Sequence, residues 1–304
     1  MILQSIGTKS KHEWRLETAV MDSRGSISKF ALVFVVTATV LANAQTRKEF
    51  QFAVHRHASV SIINQYGLIS VKPSNGNQVI VNAALGSDKV EVDTNQGGNH
   101  VTFVSHLLPG ADANSGRVDY EVLVPADANV SLHSTTGLLH AEHLHGDLML
   151  EGNATQVDVR DMSDGHVHVK TLDGPVNLSN VSDGHVEITS VNGNVVLTSV
   201  NGPLVSVNST SGKIHYDGDF GEGGEYSLTT HTGDIEATAP AYASIDVVAR
   251  STQGKVENDF QLQPTHTSFA LKAGSAFAGT MGKAASSVKL LSFSGKIHLK
   301  KRTQ

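Results

Sequence analysis

One pattern limits what this chain can fold into: a pentapeptide of glycine, any residue, an apolar residue, any residue and a second apolar residue, recurring through its C-terminal half. It is read in Gly137-Leu-Leu-His-Ala, Gly146-Asp-Leu-Met-Leu, Gly165-His-Val-His-Val, Gly174-Pro-Val-Asn-Leu and Gly184-His-Val-Glu-Ile. It continues at Gly193, Gly202, Gly212, Gly233, Gly254 and Gly295. Between Gly165 and Gly212 each gap is 9 or 10 residues, and the later gaps are 21, 21 and 41. A fixed short period is the mark of a repeat architecture, in which each unit buries its apolar face against the next. Side chains alternate across a strand. Val167 and Val169, Val176 and Leu178, Val186 and Ile188, and Val195 and Leu197 therefore share an inward face, while His166, His168, His185, Glu187 and Asn177 face water.

Paired units give a coil of about 19–21 residues, and the fold class expected is all-β: a β-solenoid of short strands with glycine turns. Adjacent near-copies such as TSVNGNVVL and TSVNGPLVS favour stacked coils. A β-sandwich of meanders is the alternative. Asp, Asn, Ser or Thr before the glycines reads as turn chemistry in which the glycine takes positive φ. No segment downstream of residue 44 sustains a helical period. Only 5% of residues are aromatic, so the core must come from Val, Leu, Ile and Ala.

Residues 27–44, ISKFALVFVVTATVLANA, carry a 13-residue apolar run from Phe30 to Ala42 behind Arg24 and Lys29, ending in Ala42-Asn43-Ala44. This reads as a secretory signal peptide over Met21–Ala44, with residues 1–20 a start-site extension. Residues 45–130 are strand-rich but irregular and read as a cap of the solenoid. Residues 131–304 are its regular part, with a loop or insertion at 259–287. The location expected is exported: periplasmic, outer-surface or secreted.

Composition narrows the function. Net charge is −6, and loss of residues 1–44 removes more basic than acidic groups, so no basic surface for nucleic acid is expected. With the signal cleaved no membrane span remains. Cysteine is absent, which excludes thiol catalysis and cysteine-ligated zinc. Neither a Gly-x-Ser-x-Gly elbow nor a phosphate-binding glycine loop occurs. His140, His143 and His145, in HAEHLH, do not match His-Glu-x-x-His. Gly218–Glu225 is acidic and glycine-rich, but it occurs once and reads as a surface turn rather than a calcium loop. No catalytic, cofactor-binding or metal-ligating residue is assigned. One patch stands out: with a 19-residue coil, His166 falls beside His185 and His168 beside Glu187. This is either an ordinary solvated strand face or a site for zinc, copper or nickel.

Three blocks carry a resemblance: Ile63-Asn-Gln-Tyr-Gly67-Leu-Ile-Ser-Val71, Tyr120-Glu-Val-Leu-Val-Pro125-Ala-Asp-Ala-Asn-Val130, and the Ser/Asn-Gly-x-Val-x-Leu units from Gly137 to Gly295. The chain resembles the bacterial putative-adhesin family of unknown function over residues 47–300. The resemblance implies an exported or envelope-associated protein with a binding, adhesion or scaffold role, without catalytic residues. Its partner would be a protein or glycan of the cell envelope, and self-association through solenoid ends is a further route. A polysaccharide-acting β-helix enzyme and a self-assembling envelope polymer are the alternatives. N-terminal sequencing of the exported protein is expected to begin at Gln45, and a retained Met1 or Met21 would instead make the apolar segment an anchor.

Overall fold

A computed structural model describes residues 46–264 and 274–303. The expected signal peptide, residues 1–20 and part of the 259–287 segment lie outside the described residues. No described helix is long and apolar enough to cross a membrane.

Among the described residues, twenty-one strands form one hydrogen-bonded sheet. The first six are β1 (Thr46–Ala53), β2 (Ser59–Pro73), β3 (Gln78–Leu85), β4 (Val90–Gly97), β5 (His100–Leu107) and β6 (Val118–Val124). Two long strands follow, β7 (Asn129–Glu142) and β8 (Leu148–Ser163). Then come β9 (Val167–Asp173), β10 (Val176–Ser182), β11 (His185–Ser190), β12 (Val195–Val200), β13 (Leu204–Ser209) and β14 (Ile214–Asp217). The last are β15 (Glu225–Thr230), β16 (Ile235–Ala239), β17 (Ile245–Ser251), β18 (Val256–Asn258), β19 (Ala276–Met281), β20 (Ser286–Ser292) and β21 (Ile297–Lys301).

The fold is a β-solenoid with two strands per coil. Pairing is parallel and skips one strand at a time: β9 with β11, β11 with β13 and β13 with β15 on one side, β10 with β12, β12 with β14 and β14 with β16 on the other. Val157, Val176, Val195, Ile214 and Ile235 are successive partners, so a coil takes 19 residues, then 21. We call the two sides ladder A and ladder B. β2, β7 and β8 are long enough to run through both. Beyond β2, the β4–β5 hairpin extends ladder A, while β6, β3 and β1 extend ladder B. The alternating Val, Leu and Ile positions meet between the ladders, where Val167, Val169, Val176, Leu178, Val186, Ile188, Val195 and Leu197 are all buried.

Two columns of glycine run along the turns. A Cβ on Gly193 would overlap the carbonyl oxygen of Gly174, one on Gly212 that of Gly193, and one on Gly233 that of Gly212. The other corner repeats this with Gly165, Gly184 and Gly202. The turn reading holds for the repeat glycines Gly137 and Gly174, at φ 142° and 112°, but none of these six has positive φ. In the turns at Gly165 and Gly184 the preceding residue takes that conformation instead, Asp164 and Asp183 both at 61°. Glycine is required here because backbone packs on backbone between coils, which any side chain would block.

A second column sits three residues before these glycines, at Thr171, Ser190, Ser209, Thr230, Ser292 and Ser251, all buried. The Ser292 hydroxyl accepts from the Gly295 N–H at 2.8 Å and donates to the Gly233 carbonyl of the adjoining coil at 3.2 Å. Ser251 does the same with Gly254 at 3.0 Å and Gly295 at 2.7 Å, and Thr230 with Gly233 at 3.1 Å and Gly212 at 3.4 Å. One small hydroxyl thus satisfies a turn N–H and ties it to its neighbour, in a place closed to water.

The final coil is out of chain order. β20 lies between β15 and β17, and β21 between β16 and β18. The chain therefore skips a place after β16, builds β17 and β18, and returns to fill the gap. Within the segment expected to be a loop, β19 forms and pairs antiparallel to β17 on its outer edge. Its sequence, Ala-Phe-Ala-Gly-Thr-Met, lacks the glycine period because it belongs to no coil. The Gly218–Glu225 segment also differs from a plain surface turn: Phe220 is fully buried, its ring stacked on Tyr216 at 4.4 Å and edge-on to Tyr226 at 5.1 Å. The added length of this coil accommodates that plug.

Gly212→Ala is expected to lower stability by about 1–3 kcal/mol or more, the usual cost of forcing volume into a packed interior. Gly97→Ala, where a Cβ meets nothing within 4 Å, should be close to neutral. Equal midpoints in thermal melts would contradict the packing argument. Ser292→Ala should cost about 1–3 kcal/mol by leaving a buried N–H without its acceptor. Ser209→Ala should cost less, since the Ser209 hydroxyl has no partner among the described residues, and the same melts compare the pair.

Candidate binding face

The outer faces of the two ladders differ in how their charges are used. On ladder B, Lys72 meets Glu142 at 2.8 Å, Arg160 meets Asp158 at 2.8 Å, Lys296 meets Glu257 at 2.7 Å and Lys300 meets Glu236 at 3.8 Å. The hydrogen bond from the Lys72 ammonium holds the Glu142 carboxyl below the ordinary carboxylate range, and that from Lys296 does the same for Glu257. Histidines join in, His140 lying 3.2 Å from Asp158 and His215 lying 3.5 Å from Glu236. Ladder B is a solvated lattice of satisfied pairs.

Among the described residues, no Lys or Arg pairs with a carboxylate on ladder A. Apolar side chains are left open there instead. Of the large apolar residues exposed to solvent among the described residues, Ile63, Leu107 and Met149 belong to ladder A, Leu172 and Phe293 to the corner by which the chain leaves it, and Tyr242 lies elsewhere. Met149 is 46% exposed in the middle of the face. The Phe293 ring, 41% exposed, lies flat against His231 at 4.8 Å.

Ladder A carries a shallow groove of about 430 Å³, which includes Asn129, Asp147, Met149, His166, His168, His185 and Glu187 in its lining. Two rows build it. Ser59 is in register with Asn129, and the Asp147 backbone N–H donates to the Asn129 side-chain oxygen at 3.0 Å. The Asp147 carboxylate in turn accepts the His166 N–H at 3.0 Å. The His166 and His185 rings stack at 4.6 Å and 6°. In the next row Ser131, Met149, His168 and Glu187 are successive register partners. His168 Nδ1 lies 3.4 Å from Glu187 Oε2, and His166 Nδ1 lies 3.7 Å from Asp147 Oδ1.

All four residues of the sequence patch therefore meet on one outward face, and Asp147, Met149 and Asn129 join them. The signal for two of these was present: Asp147 and Met149 each precede their histidine by one 19-residue coil. The HAEHLH histidines do not assemble. His140 points to Asp158 and Glu142 on ladder B, His143 is at a turn near Asp161, and His145 bonds the Ser163 hydroxyl. Among the described residues no three His, Asp or Glu side chains converge as a ready metal cage.

The family model for Toastrack DUF4097 matches residues 53–300, which spans both ladders and the groove. The chain belongs to the Toastrack family. Among curated proteins none matches the chain. Solved structures that resemble this Toastrack chain include a putative cell adhesion protein from Clostridium sporogenes, 13% identical, covering 84% of this chain and 100% of that one, TM-score 0.26. A putative adhesin from Bacteroides fragilis is 12% identical, covering 86% and 99%, TM-score 0.39. Another from Parabacteroides merdae is 11% identical, covering 84% and 96%, TM-score 0.34.

Proposed function

We propose that this Toastrack protein is an exported, non-catalytic binding protein of the cell envelope that receives a protein or glycan on ladder A. The observation that carries this reading is the asymmetry between the faces. Ladder B has its charges paired, and stripping water from such pairs is costly. Ladder A combines carboxylates that meet histidine rather than Lys or Arg with open apolar side chains, a mixture suited to a recognition surface. The signal-like segment Met21–Ala44 supports export. The alternation of strands supports binding over catalysis, because neighbouring outward side chains project in parallel and do not enclose a reacting bond. Self-assembly through the end formed by β17 to β19 is less favoured: the edge of ladder B there is the three-residue β18, and β19 covers that of ladder A.

Glycan arrays and immobilised envelope proteins, each probed with the purified protein, test the proposal. Met149→Glu combined with Ile63→Glu is expected to weaken binding tenfold or more. Glu236→Gln on ladder B should change it by less than about twofold. Equal losses from the two faces would refute the assignment, and release of reducing ends from a bound glycan would replace binding with catalysis.

A further inference from the structure

We infer that a separate recess on ladder A, at its exit corner around Phe293 and Arg250, binds a carboxylate-bearing sugar: a hexuronate residue of an acidic glycan. The inference rests on the reading of ladder A as the receiving face and names a ligand class for one part of it.

The recess holds about 490 Å³ and includes Thr229, His231, Arg250, Thr252, Leu291 and Phe293 in its lining. Its place follows from the register. Ser209, Thr230, Ser292 and Ser251 are successive partners on β13, β15, β20 and β17. The residues that follow them, Thr210, His231, Phe293 and Thr252, therefore form one column at the corner, and all four are exposed. Two flat rings stand in that column between two small threonines. His231 and Phe293 stack at 4.8 Å and 7°. One face of the phenyl ring is taken by the imidazole, and the other looks toward Thr252, which is too small to cover it. Phe293 is left 41% exposed.

Charge and hydroxyls lie beside the rings. Thr229, Leu291 and Arg250 are register partners in the adjoining row, and Lys289 lies one row further on β20. Neither Arg250 nor Lys289 has an ion pair among the described residues, and no Asp or Glu lines the recess. On a chain of net charge −6, a basic spot free of carboxylates selects for an anion. The guanidinium fork matches the two oxygens of a carboxylate. The negative face of the phenyl ring attracts the C–H-lined face of a pyranose, and Leu291 extends that apolar floor. Thr229 and Thr252 bring hydroxyls that suit those of a sugar. In the wall, Ser209 is buried and its hydroxyl has no partner, whereas those of Thr230 and Ser292 are taken up by their turns. A simple anion would need only Arg250 and a neutral sugar only the ring. Both together, in a recess of small-ligand size, fit an acidic sugar.

Calorimetric titration of the purified protein with tetrasaccharides of galacturonate, mannuronate and glucuronate, and with their methyl esters, tests this. At least one acid is expected to saturate a single site, and its methyl ester, which keeps the ring face and loses the charge, to bind at least tenfold more weakly. Arg250→Gln and Phe293→Ser should each cost tenfold or more, and Arg250→Lys severalfold, since an ammonium lacks the fork. Lys300→Gln on ladder B, a loss of the same charge elsewhere, should change binding by less than about twofold. Thermal melts should show the Arg250 and Phe293 variants as stable as the parent, because both side chains are exposed. The site is overturned if no acid saturates, if the esters bind as tightly as the acids, or if Arg250→Gln and Phe293→Ser titrate like the parent. If the acids fail while envelope proteins still bind and lose affinity in Met149→Glu with Ile63→Glu, this site falls and the wider reading of ladder A stands. If both fail, the wider reading falls with it.

Discussion

The solenoid depends on how closely one turn lies on the next. Parallel strands stack with a spacing set by backbone hydrogen bonds, and at the corners that spacing leaves room for peptide planes but not for a Cβ. Corner glycines sit on the carbonyl of a counterpart one coil away, and at Gly233, Gly254 and Gly295 the buried Ser or Thr three residues earlier supplies the hydroxyl that satisfies the turn. Both columns must continue for coils to stay in register. Where a coil departs from 19 residues, the structure accommodates the excess away from the column, as with Phe220, buried against Tyr216 and Tyr226. That burial pushes the Tyr226 hydroxyl up to about 12.

With the coil held by its corners and its Val, Leu and Ile interior, the outward positions are free to vary. They form rows, because register repeats each position one coil on. A row is therefore a line of chemistry that substitutions can tune without touching the core. Ladder B has used this freedom to alternate charges, so that Glu236 faces both His215 and Lys300. Ladder A has placed histidines and carboxylates beside Met149 with no basic partner. The two faces share a backbone plan and differ in what they leave unpaired.

Much of this was legible in the chain. The alternation in Val167/Val169 or Val195/Leu197 identifies the core, and the 19-residue gap from Gly165 to Gly184 places His166 against His185. What could not be read is where physical causes look alike in one dimension. A glycine needed for positive φ and one needed for close approach are the same letter: Gly174 after Asp173 has the expected positive φ, whereas Gly165 and Gly184 are needed for close approach. The Ser/Thr-x-x-Gly column is visible in Ser190–Gly193 and Ser292–Gly295, yet a small hydroxyl also suits an exposed turn. Order along the solenoid is not encoded in spacing: Gly254 and Gly295 carry similar units, and either could have come first.

That exchanged order follows from what each coil offers as an edge. The coil of β20 and β21 has full strands on both ladders, seven and five residues long, and pairs with a coil on either side. The coil of β17 and β18 is lopsided, with seven residues on ladder A and three on ladder B. A lopsided coil inside the stack would leave β16 and β21 without continuous partners, whereas at the end its short side presents little open edge. Its long side is then covered by the antiparallel β19, which needs no coil of its own. The stack is closed by placing its weakest coil last in space rather than last in sequence.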